Sequence, residues 1–149
     1  MTRGLILVGG GELARVIIET VHAKQPGRVL GFVDPLPCEE TVLRLGLPRL
    51  GGDEALARYP DAQLVLGVGS IKVAPIRERI VQAIAAPSER WASVIHPTAN
   101  VSSTATVYEG AVILAGCVIC SGASIGRHAI LNIGAMIDHE LHVGAFVPL

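Results

Sequence analysis

IHPTANVSSTATVYEGAVILAGCVICSGASIGRHAILNIGAMIDHELHVGAFVPL, residues 95–149, is the stretch from which the fold is read. Every sixth residue in it is a branched aliphatic: Ile95, Val101, Val107, Ile113, Ile119, Ile125, Leu131, Ile137, Val143 and Leu149. Four places after each of the first nine comes a mostly small side chain: Ala99, Ala105, Ala111, Cys117, Ala123, Ala129 and Ala135, then Leu141 and Val147. An α-helix would repeat its apolar stripe at three and four residues and a strand at two, so neither produces a period of six. Short units that cannot bury an apolar face alone, but do so once stacked, make a parallel β-helix of hexapeptides.

Upstream the pattern changes. Gly4 to Val8 is an apolar run that meets Gly9-Gly10-Gly11, and residues 12–24 then place Leu13, Val16, Ile17 and Val21 on one helical face. Strand, glycine turn and helix open a βαβ unit. Val29–Val33 reads as a second strand ending at Asp34-Pro35, and a polar turn region follows. Asp53 is placed to cap a short helix that ends near Tyr59-Pro60. Gln63–Val68 is a third strand and Pro75–Ala85 an amphipathic helix. Residues 1 to about 92 thus read as a small parallel α/β domain, with the β-helix after it.

Half of the 149 residues are hydrophobic, yet only one Trp, two Tyr and two Phe are present. Small and branched aliphatics must therefore fill the interior, which suits thin stacked coils. A net charge of −1 offers no attraction to nucleic acid or an anionic membrane. Cys38, Cys117 and Cys120 are an odd number and read as free thiols of a reducing compartment. The start, MTRGLILVGGGELARV, lacks a signal-peptide core, and no apolar run reaches membrane-spanning length. A cytoplasmic protein without metal, membrane or nucleic-acid partner is expected.

Gly9-Gly10-Gly11-Glu12-Leu13-Ala14 fits the loose dinucleotide pattern of glycine, any, glycine, two of any, then glycine or alanine. Such a turn brings backbone N–H groups at a helix N-terminus up to a phosphate. Asp34, at the end of the second strand, stands where an acidic residue would bind a ribose hydroxyl. The same glycines would also serve a tight turn with no ligand, and the Glu12 carboxylate repels a phosphate. A second glycine site, Gly67-Val68-Gly69-Ser70-Ile71-Lys72, follows the third strand, and Lys72 is a candidate to neutralise a diphosphate. Open α/β sheets bind ligands outside the carboxyl ends of their strands, where Gly9, Asp34 and Gly69 converge. A mononucleotide or nucleotide-linked ligand fits so short a sheet better than NAD.

Asp138-His139-Glu140 lies outward between Ile137 and Leu141. An imidazole between carboxylates is the arrangement of a general base, because a carboxylate fixes its tautomer and stabilises the imidazolium. A surface histidine with incidental charges has the same sequence. His22 and His142 read as exposed or structural, as does His128, and His96-Pro97 as an extended lead into the first coil.

The residue run from Ile95 to Val147 resembles the hexapeptide acyltransferases of the sugar O-/N-acetyltransferase group, which acetylate nucleotide-linked 4-amino sugars or sialic acid. The upstream segments LILVGGGELARVI, GFVD, GLPRLGGDEAL and LVLGVGSIKVAPIRERI are similar in the same order, so the resemblance covers essentially the whole chain. It implies a Rossmann-like α/β domain over residues 1–92 that binds the nucleotide sugar. A left-handed parallel β-helix over 93–149 would follow, with about three coils of three hexads each. It also implies a homotrimer with active sites between subunits and acetyl-CoA as co-substrate. By this resemblance His139 is the catalytic base, Glu140 the carboxylate that orients it and Asn132 a polar position in the preceding strand; with Gly9, Gly11, Asp34, Gly69 and Lys72 of the glycine sites, Asn132 completes the expected substrate-binding set.

The chain departs from the family's pattern in three places. Glu12, Leu13 and Ala14 stand where the glycine loop commonly ends glycine, histidine, glycine; Pro148 stands where relatives often carry a histidine; and relatives continue for further coils past Leu149. The β-helix is accordingly expected to be incomplete. The leading expectation is transfer of acetyl to the amine of a nucleotide-activated amino sugar in surface-glycan synthesis. The alternatives are O-acetylation of sialic acid or another sugar, and a catalytically silent nucleotide-sugar-binding module.

Overall fold

The computed structural model describes residues 3–35, 39–69 and 74–149. The chain opens with β1 (Leu5–Val8), α1 (Glu12–His22), β2 (Val29–Val33), α2 (Glu39–Leu45) and β3 (Arg49–Gly51). A 3₁₀ turn at Asp53–Arg58, β4 (Gln63–Leu66), α3 (Ala74–Ile84) and a 3₁₀ turn at Ser88–Arg90 complete this part. The strands form one parallel sheet in the order β3-β2-β1-β4, a Rossmann-like arrangement. β1 is buried on both faces, as its unbroken apolar run requires. Leu5 and Leu7 face α1, while Ile6 and Val8 face Trp91, Ile80 and Ile84 on the other side.

Sequence and structure differ between the second and third strands of the sequence reading. A polar turn region is expected after Pro35, where the structure has α2, and β3 lies in a stretch to which the sequence assigns no element. Seven residues and three residues are too short for a period to register, and both elements are held by neighbours rather than by local pattern. Asp53 does not cap the 3₁₀ turn either: Gly52 occupies the cap position, and its N–H donates to Glu54 Oε1 at 3.0 Å.

From Val94 the chain winds as a left-handed parallel β-helix with two-residue rungs. β5 (Val94–Ile95), β8 (Val112–Ile113) and β11 (Ile130–Leu131) make one face. The second is β6 (Asn100–Val101), β9 (Val118–Ile119) and β12 (Met136–Ile137), and the third β7 (Thr106–Val107), β10 (Ser124–Ile125) and β13 (His142–Val143). The second residue of each rung points inward, so the six-residue aliphatics stack as Ile113, Ile119, Ile125, Leu131, Ile137 and Val143 with Ala111, Cys117, Ala123 and Ala129 between them. Each fully buried aliphatic stabilises the coil by about 1.5–3 kcal/mol relative to exposure. Leu141 departs from the expected inward set and is exposed on the last coil.

The first face packs on α1, and Val94, Val112 and Leu114 share one apolar cluster with Leu5, Ala14, Ile17 and Val65. The prism edge opposite that face is the one between the second and third faces, formed by the turns at 103–104, 121–122 and 139–140. Later turns place their second residue in the left-handed region. Glycine serves at Gly110, Gly116, Gly122 and Gly134, but His128 (φ 55°), Glu140 (φ 60°) and Phe146 (φ 63°) also adopt it. The exceptions are stacked: His128 lies over Gly110 and Glu140 over Gly122, where a Cβ would collide with the side chain above. His128 is also edge-on to Trp91 at 4.8 Å and stacked on Phe146 at 5.0 Å, so it is buried rather than exposed. Arg77 binds this edge to the sheet, donating through Nε to the Val68 carbonyl (2.7 Å) and through Nη1 to that of Phe146 (3.5 Å).

Candidate active site

The glycine loop sits where β1 gives way to α1, outside the carboxyl end of the sheet. Gly9 has φ +96° and a Cβ there would strike Val68, so the chain reverses tightly enough for α1 to begin at Glu12. Gly9, Gly10, Gly11, Asp34, Asp53 and Val68 line a crevice of about 290 Å³. Arg49 fixes the loop after β2 by donating Nε and Nη2 to the Asp34 carbonyl at 2.9 and 2.8 Å. The expected Gly9, Gly11 and Asp34 are thus together.

Gly69 and Asn132 are elsewhere, in an adjoining cleft of about 420 Å³ between α1 and the β-helix, with Glu12, Leu13, Leu114 and Ile133. Lys72 and Cys38 lie outside the described residues. The repulsion expected from Glu12 is offset by Arg44 on α2, whose Nη1 is 3.4 Å from Glu12 Oε1 and whose Nη2 donates to the Gly10 carbonyl. Arg44 carries no sequence signal, because nothing in the spacing from Glu12 to Arg44 announces a contact between two helices.

His139 occupies the turn between β12 and β13, on the prism edge opposite the α/β unit. Its Nδ1 is 2.7 Å from Asp138 Oδ1, which also accepts from the His139 backbone N–H at 2.7 Å. These two bonds, backbone first, hold the Asp138 carboxyl below its usual range. In the neutral tautomer that carries its proton on Nδ1, the carboxylate accepts that proton's hydrogen bond and Nε2 is the acceptor nitrogen, on a side chain exposed to solvent. Glu140 does not touch the ring, since its carboxylate lies over Gly122 one coil below. Nearby, Ser124 Oγ and His142 Nδ1 are 2.6 Å apart across one rung of the third face. Their 18-residue spacing, one full coil, is the signal that pairs them. Among the described residues no three His, Cys, Asp or Glu side chains converge to hold a metal ion. Nor, among them, is any helix long and apolar enough to cross a membrane.

A glycine-headed α/β crevice joined to a left-handed hexapeptide β-helix with an outward His–Asp pair defines a two-part, β-helical class of protein. Within it the chain belongs to the family of the PglD N-terminal domain, whose profile matches residues 4–84. Among solved structures it is similar to PerB from Caulobacter crescentus in complex with CoA and GDP-perosamine. The two are 29% identical with a TM-score of 0.81, over 99% of this chain and 69% of that one. It is also similar to the acetyltransferase domain of PglB from Neisseria gonorrhoeae FA1090 in complex with acetyl coenzyme A. Here identity is 25% and the TM-score 0.75, over 99% of this chain and 70% of that one. No curated protein matches the chain.

Proposed function

We propose that this protein transfers the acetyl group of acetyl-CoA to the amine of a nucleotide-linked amino sugar, a step of surface-glycan synthesis. The observation that carries the reading is the His139–Asp138 pair, held at 2.7 Å on an open edge of a fold whose neighbours were crystallised with CoA or acetyl-CoA. The glycine crevice supports the nucleotide half, and the neighbour in complex with GDP-perosamine supports the sugar half.

Nε2 of His139 takes a proton from the sugar amine as the nitrogen attacks the thioester carbonyl. A backbone N–H stabilises the oxyanion of the tetrahedral intermediate. That intermediate collapses with loss of the CoA thiolate, which receives the proton from the imidazolium, giving the amide and CoA thiol. Asp138 steadies the imidazolium throughout. In this reading Glu140 shapes the turn, and Asp138 takes the orienting role.

The two halves of the site are far apart within one chain, because His139 is on the prism edge opposite the face that carries the α/β unit. In this reading the chain works as a homotrimer with shared sites, the nucleotide sugar in the crevice of one copy meeting the histidine of another. Mixing the chain with acetyl-CoA and GDP- or UDP-linked 4-amino sugars, and following free CoA thiol, tests the function. Sugar-dependent release that His139→Ala abolishes is expected; sugar binding without release overturns the transferase and leaves a binding module.

A further inference from the structure

The glycine crevice and the cleft beside the β-helix meet at the head of α1. Gly11 and Val68 line the first, while their chain neighbours Glu12 and Gly69 line the second, so one residue's thickness separates them. A ligand with its nucleotide in the crevice places its next group in the cleft. The walls of that cleft are apolar, with Leu13, Val16, Leu114 and Ile133, and the Asn132 amide adds a polar group. Glu12 is the one charged side chain that lines it among the described residues.

Glu12 is ion-paired to Arg44 across this boundary, and the pair is open to solvent, with the side chains 75% and 34% exposed respectively. Exposed pairs of this kind contribute little, so their partners exchange at small cost. The two charges already face different ways. Arg44 reaches the crevice side through the Gly10 carbonyl, and Glu12 borders the cleft. A nucleotide-linked amino sugar carries matching charges in the matching order, a diphosphate and then an ammonium. Resting on the nucleotide-sugar reading above, we propose that the pair opens when the nucleotide-linked amino sugar binds, Arg44 turning to the diphosphate and Glu12 to the protonated sugar amine. The Glu12 carboxylate thereby selects an amino sugar over its neutral counterpart. In this arrangement Glu12 is a specificity residue rather than a flaw in a phosphate site. One proton leaves to solvent before transfer, since attack on the thioester needs the neutral amine.

Calorimetric titration of the full chain tests this with three probes: GDP, GDP-perosamine, and the GDP-linked sugar bearing a hydroxyl in place of the amine. The UDP counterparts are run alongside. The unmodified protein is expected to bind the amino sugar about three- to fivefold more tightly than the hydroxy sugar, the upper range of one exposed charge pair. Glu12→Gln should bring that ratio close to one. Arg44→Gln should weaken all three probes by a similar factor and keep the ratio. Nucleotide binding with no preference for the amine, or a preference that survives Glu12→Gln, overturns the proposal alone. If no probe binds the unmodified protein, the nucleotide-sugar reading fails and this proposal fails with it.

Discussion

His128 makes the stability of this fold depend on pH in a way that its neighbours set. Its ring stands between Trp91 and Phe146, and its Nδ1 is buried without a hydrogen-bond partner. Burial, then the Arg77 guanidinium, push its pKa from 6.5 down to about 4; Arg127 acts in the same direction and Glu109 against it. Because the folded value is the depressed one, the unfolded chain takes up the proton first. The imidazole therefore costs nothing above its unfolded pKa of 6.5, and stability is lost as the pH falls from there toward about 4. Linkage gives a loss of about 2 kcal/mol by about pH 5, approaching about 3 kcal/mol at about pH 4.

Trp91 is the single tryptophan and touches the imidazole, so denaturant unfolding followed by its fluorescence reads the effect. The comparison is with His128→Asn, since asparagine tolerates the left-handed φ of 55° at this turn. Other histidines and carboxylates titrate in both proteins and cancel in the difference. The unmodified protein should lose about 2 kcal/mol more than the variant between about pH 7.5 and about pH 5. Equal losses would show that the imidazole is not desolvated, and the packing argument for this edge would be wrong.

Gly110→Ala should cost about 3 kcal/mol in the same assay, because it combines φ +75° with a Cβ driven into the His128 ring. Gly134→Ala, at φ +73° with nothing within 4 Å, should cost only about 1 kcal/mol and separates conformation from collision. Ala85→Gly should raise stability by about 0.5–1 kcal/mol, since Ala85 ends α3 exposed at φ 52°. Asp138→Asn should lower kcat by about 10- to 100-fold with little change in KM, as steady-state kinetics would show, because the amide keeps the hydrogen bond but loses the charge beneath the imidazolium.

The β-helix was legible because each coil repeats the same demand: an inward aliphatic every sixth residue, met without a break from Val101 to Val143. The βαβ opening was legible for a similar reason, since Leu5 to Val8 are buried on both faces and α1 shows one apolar stripe. What escaped was short or long-range. EETVLRL and RLG are held in place by strands and helices distant in sequence, so the sequence shows only a polar turn at α2 and no element at β3. Arg44 escaped with α2, and with it the reason that a carboxylate is tolerated at the glycine loop. At the histidine turn the triplet itself was visible, but which carboxylate touches the ring depended on Glu140 folding back over Gly122. A coil-length spacing of 18 residues would have exposed that contact, as it does Ser124 with His142.

That spacing gives each residue of the β-helix two addresses in one number. Thr98 and Gly116, like Ser124 and His142, are bonded neighbours 18 residues apart, one directly above the other. The remainder after division by 18 therefore sets the compass bearing of a side chain, and the quotient sets its storey, in steps of about 4.8 Å. Eighteen residues inserted before Asp138 would raise His139 one storey on the same bearing. Six would swing it a third of a revolution, onto the edge where Arg77 and Trp91 already stand. On such a scaffold a reactive group moves by indexing, without any change in the fold that carries it.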